Sequence, residues 1–75
     1  MDREALLNWL AVAERHVQEG ARQLLQQREV LSRLQTRGHG KSATAGMARE
    51  LLDTMERLQA HHIDHRDRLI ASLKT

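Results

Sequence analysis

Three histidines, His61, His62 and His65, stand close together in the last third of this 75-residue chain. On a helix, a spacing of four for His61 and His65, and of three for His62 and His65, brings side chains onto adjacent turns. Two imidazoles at such spacing suit a borderline metal such as zinc, but a structural or catalytic site needs at least a third protein ligand. The segment HHIDH does not supply one. It lacks the glutamate base of HExxH, and Asp64 is turned about one hundred degrees from either neighbour along a helix. No metal ligand and no cofactor are therefore assigned. The expected role of these imidazoles is polar packing between helices, so that protonating an inner His62 or His65 would weaken assembly.

A second chemical candidate is Gly38-His39-Gly40-Lys41-Ser42, which ends like the phosphate-cradling GxxxxGK[ST] loop. Gln35 stands where that motif requires its first glycine, and no strand precedes it to mount such a loop. The stretch reads instead as a helix stop followed by a helix cap. Lys41 and the loop amides offer an anion only weak, general contacts. Nor does any nucleophile, base and oxyanion site assemble from the serines, histidines and acids, so no catalytic residue is named and no enzyme is expected.

The elements that would position these groups are two long helices. No proline occurs in the chain, and straight-chain or small residues dominate from Asp2 to Thr36, a composition that loses little side-chain freedom in a helix. Asp2 is the expected N-cap, Glu4 and the pair Arg33 and Arg37 match the helix dipole, and Gly38 suits the left-handed residue that ends a helix. Ser42 and Thr44 compete to cap a second helix starting near residue 43. The first apolar stripe runs Leu6, Leu10, Ala13, Val17, Gly20, Leu24, Leu31 and Leu34, with polar Gln27 in the inner place between Leu24 and Leu31. Leu7, Ala21 and Val30 widen it. The second stripe runs Ala48, Leu51, Met55, Leu58, His62, His65, Leu69 and Ser72, flanked by Leu52, Ile63, Ile70 and Leu73. Both keep the three-four rhythm of an amphipathic helix. Arg49 with Asp53, Asp53 with Arg57, and Asp64 with Arg68 are four apart and read as solvent-facing pairs worth little.

A short connection folds the second helix back along the first, giving one all-α domain over residues 1–75, an antiparallel two-helix hairpin. Gly20 then lies opposite bulky His62, and Ala13 opposite Leu69, small against large. Chains of this size bury too little surface to be comfortable alone, and with no cysteine neither disulfides nor thiolate metal sites can help. The hairpin is expected to dimerise into a four-helix bundle, its interface drawn from Leu7, Leu10, Val17, Leu24, Val30 and Leu31 on the first helix. Leu52, Met55, Leu58, His62, His65, Leu69 and Ile70 supply the second helix's share. Ile63 adds to the same widening, and Trp9, the only aromatic ring among Phe, Tyr and Trp, either closes the bundle end or packs on the C-terminal turn of its own hairpin.

Twelve basic and ten acidic residues leave a formal charge of only +2. Arg15, Arg22, Arg28, Arg33, Arg37 and Lys41 offer phosphate contacts, but Glu14, Glu19 and Glu29 interrupt them, and no aromatic stacking residues are interleaved. A small nucleic-acid-associated regulator is therefore the alternative to the leading expectation, a non-enzymatic protein-interaction or scaffold module. Acidic residues and Arg15 break the N-terminal apolar stretch before membrane-spanning length, so no membrane partner and a cytoplasmic location are expected. The expected partner is a second copy, with an unidentified protein as the other candidate.

Two stretches carry a family likeness: AERHVQEG with QQREVLSRLQTRGH in the first helix, and LLDTMERLQAHHIDHRDRL in the second. Together they resemble the short, functionally uncharacterised helical-hairpin proteins encoded in many alphaproteobacteria. The arginine-histidine pair of that group is matched by Arg15-His16 and its glycine-histidine stop by Gly38-His39. Its closing histidine and aspartate-arginine-aspartate-arginine-leucine run is matched by His62 and Arg66-Asp67-Arg68-Leu69, with His65 where the first aspartate comes. The connection GKSATAG is longer than the family's usual loop. The resemblance implies a complete small hairpin protein and carries no established activity.

Overall fold

The structure, a computed structural model, describes residues 2–75. It contains two helices, α1 (Arg3–Thr36) and α2 (Ala43–Lys74), forming a rod of 54 × 14 × 14 Å. Its radius of gyration, 16.7 Å, well exceeds the roughly 11 Å of a compact domain of this length.

The ends of both helices follow from their capping residues. The Asp2 carboxylate accepts from the Glu4 amide at 3.2 Å, using one of the free donors of the first turn. At the other end Gly38 takes φ +80°. That turn lets the Gly38 amide donate to the Gln35 carbonyl at 3.2 Å and the His39 amide to the Leu34 carbonyl at 2.8 Å, the paired bonds of a Schellman stop. Ser42, not Thr44, caps α2: its Oγ accepts from the Ala45 amide at 3.1 Å and donates to the His39 carbonyl at 2.7 Å. The GHGKS stretch is thus a stop and a cap. Arg3 Nη1 donates to the Leu73 carbonyl at 3.3 Å, placing positive charge at the C-terminal end of α2 where the helix dipole favours it.

Contacts between the helices descend α2 as they ascend α1. Arg3 reaches Leu73, Val17 meets Gln59 and Gln27 meets Ala48. On α1 the inward residues are those the periodicity predicts, Gln27 included. On α2 the expectation is half corrected. Ala48, Met55, His62 and Leu69 turn inward, but Leu51, Leu58, His65 and Ser72 are exposed, and the following residues Leu52, Gln59, Arg66 and Leu73 take the inner places with Ala45. Intervals of three and four then alternate strictly along both seams. The two candidate faces of α2 carry nearly equal apolar content and differ by one residue's rotation. The pairing with α1 chooses between them: Leu73 joins the cluster of Leu6, Leu10, Ala13 and Leu69, while Gln59 packs against Gly20.

Of the three expected charge pairs on α2, Asp64 with Arg68 forms at 3.0 Å. Arg49 instead donates to the Gly40 carbonyl at 2.9 Å and Arg57 to Thr54 Oγ1 at 3.5 Å. An ion pair that the helical spacing does not foretell joins the helices, Arg28 with Glu56 at 3.6 Å. Both side chains are about half exposed, so it contributes little.

Candidate functional site

The middle of the rod carries a polar layer of the seam. Gln59 is buried, and its Nε2 donates to the Val17 carbonyl at 2.8 Å across the helix pair. Its Oε1 is buried without a hydrogen-bond partner and points at Gly20, where an added Cβ would collide with it. Gly20 therefore makes room as expected, but for Gln59 and not for His62. The register of α2 differs from the sequence expectation by nearly one helical turn at this level. A second glutamine repeats the device toward the loop, Gln27 Nε2 donating to the Ala48 carbonyl at 3.2 Å.

His16 meets His62 beside this layer, their ring centroids 5.2 Å apart and their planes tilted by 47°. The hairpin thus brings His16 of α1 to the level of the α2 histidines. The two rings share a shallow recess with Glu19, Gly20, Met55 and Leu58. His61 and His65 are exposed and His62 is half-buried, so only His62 keeps the inner position proposed for both it and His65. Among the described residues no three His, Cys, Asp or Glu side chains converge as metal ligands would.

No family model, curated protein or solved structure matches this chain. What the arrangement can do is therefore read from its geometry.

The seam divides the surface of the rod into two flanks. One carries the Arg28–Glu56 ion pair, with Leu7 and Ala21 at seven-residue steps from Arg28, and Ile63 and Ile70 at the same steps from Glu56. The other carries Trp9, His16, Gln23 and Val30 of α1, seven apart, facing Leu51, Leu58 and His65 of α2, also seven apart. Two recesses that share His16 bring part of this set together, one lined by His16, Gln23 and Leu58 and the other by Trp9, Val12, His16 and His65. Trp9 is half exposed, as are Val12, Leu51 and Leu58, with Val30 close behind.

The residues expected to widen the stripes do not share one surface. Leu52 enters the seam, half-buried, Leu7, Ile63 and the half-buried Ile70 lie on the ion-paired flank, and Val30 lies on the opposite one. Leu10, Val17, Leu24, Leu31, Met55 and Leu69 serve the seam within the chain. Sequence reasoning missed Gln59 and Val12. The signal for Gln59 was present in the strict series 45, 52, 59, 66 and 73, which places it opposite the one glycine of the α1 stripe. No helix among the described residues is long and apolar enough to cross a membrane.

Proposed function

We propose that this chain is a non-enzymatic protein-interaction module, an antiparallel hairpin that acts as a scaffold by pairing with a second copy into a four-helix bundle. The observation that carries this reading is the poverty of the core beside the wealth of exposed apolar surface. Among the described residues the buried apolar ones are Leu6, Ala13, Leu24, Ala45, Ala48 and Leu69, half of them alanines, whereas Leu7, Trp9, Val12, Leu25, Val30, Met47, Leu51, Leu58 and Ile63 stay exposed. Burial yields about 25 cal/mol per Å² of apolar surface, so so small a seam stabilises the chain far less than a shared core would. Two-fold self-pairing is the commonest closed assembly, and it needs no specialised partner.

The alternative, a nucleic-acid-associated regulator, draws less support. Arg28, Arg66 and Arg68 are engaged by Glu56, Asp67 and Asp64, which leaves fewer cations for phosphates. Its cysteine-free composition suits the reducing cytoplasm, where the reading places the module. Sedimentation equilibrium over a concentration series tests the proposal. A dimer at tens of micromolar that loses helicity on dilution is the expected result, and a folded monomer at that concentration would sink it.

A further inference from the structure

The question that pairing leaves open is which side of the rod the second copy covers. The two flanks differ in chemistry. On one, the Arg28–Glu56 ion pair crosses between the helices, and burying it would strip water from both charges. The other carries no formal charge at its seven-residue positions from Trp9 to Val30 along α1 or from Leu51 to His65 along α2, and Glu19 at its edge is the one charged side chain that lines its two recesses. Interface centres are depleted of charge and enriched in aromatic side chains, and the single tryptophan stands here, half exposed.

This flank also reads the same in both directions along α1. Trp9 and Val30 are its apolar ends, and His16 and Gln23 its polar middle. The point halfway between Trp9 and Val30 is also halfway between His16 and Gln23, and it coincides with the midpoint of α1 itself, between Glu19 and Gly20. A two-fold axis through that point, perpendicular to the rod, lays Trp9 of one copy on Val30 of the other and His16 of one beside Gln23 of the other. It also overlaps the two rods along their full length, and it brings Leu58, near the middle of α2, close to its own mate. Each Glu19, which approaches its counterpart at the axis, has the His16 of its own copy in the same recess.

We infer that the second copy packs against the Trp9, His16, Gln23, Val30, Leu51 and Leu58 flank, with α1 lying antiparallel on α1 about an axis between Glu19 and Gly20. This rests on the self-pairing proposed above. The dimensions agree: a strip 54 Å long and 14 Å wide is roughly 750 Å² for each copy, or about 1,500 Å² in total, within the range of about 1,200–2,000 Å² typical of stable specific interfaces.

The absence of native cysteine makes crosslinking clean. Glu19→Cys places a thiol near the axis, whereas Ala21→Cys places one at the same level on the ion-paired flank; both sites are exposed, and retained helicity is checked by circular dichroism. A short bismaleimide should join two copies of the Glu19→Cys variant at least tenfold more efficiently than the Ala21→Cys variant. In the unaltered protein, Trp9 emission should shift to the blue over the same concentrations at which sedimentation reports the dimer. A dimer that crosslinks equally well or better through residue 21, or through neither position, or that forms without moving Trp9 emission, overturns the assigned flank while leaving self-pairing intact. A monomer throughout overturns both.

Discussion

The two ends of the seam's chemistry sit only a few turns apart. Where α1 begins and α2 ends, Leu6, Leu10, Ala13, Leu69 and Leu73 form an apolar cluster. At mid-rod, Gly20 faces the buried amide of Gln59, one end of which is hydrogen-bonded and the other orphaned. Apolar side chains at the cluster would tolerate a slide of one helix along the other by a repeat, because hydrophobic contact has no direction. The amide would not: its donor needs the Val17 carbonyl, and its bulk needs the one inward residue without a side chain. The apolar end supplies stability, and the polar middle supplies register at a cost in stability, the division seen when a single polar residue enters a helical seam.

The largest expected effect lies at the apolar end. Leu69 is 7% exposed, and Leu69→Ala should cost about 2–3 kcal/mol by losing buried methyl groups and leaving a cavity. Urea unfolding at fixed protein concentration measures it, since assembly makes stability concentration-dependent. A cost below half a kilocalorie would mean that the cluster is not what stabilises the rod.

A smaller effect with a reversible sign tests the middle. Alanine is a better helix former than glycine by about 1 kcal/mol, yet Gly20→Ala should destabilise the protein by about 1 kcal/mol, because its Cβ displaces Gln59 and leaves a buried amide unpaired. Made in a Gln59→Ala background, the same change should stabilise by about 1 kcal/mol. The double-mutant cycle isolates the contact, and equal effects in the two backgrounds would remove it from the account.

The smallest effect on stability is the most informative about register. Gln59→Leu removes the donor and the orphaned oxygen together, so its unfolding free energy should stay within about 1 kcal/mol of the parent. Its amide NMR spectrum should nevertheless show doubled resonances as alternative registers become populated. A single sharp set would assign the register to the caps and the loop instead.

Much of this fold is legible in the sequence. The α1 stripe, its polar break at Gln27, the stop at Gly38 and the start of α2 near residue 43 depend on spacing and on local capping chemistry, which act over one or two turns and leave their mark in adjacent residues. The inward face of α2 was not legible. A rotation of one residue exchanges Leu51, Leu58, His65 and Ser72 for Leu52, Gln59, Arg66 and Leu73, and each set holds two leucines.

By itself, the sequence determined that the chain makes two capped helices with a glycine-bearing break between them, because propensity, capping and periodicity are properties of neighbours. Only the tertiary structure decided which α2 residues face α1, that Gln59 and not His62 fills the space at Gly20, that His16 meets His62 with tilted rings, and that one flank is ion-paired while the other presents Trp9 and Leu58. Each of these depends on how two helix surfaces fit at a distance of tens of residues in sequence, where the free energies of competing registers differ by no more than a hydrogen bond and a side chain's volume.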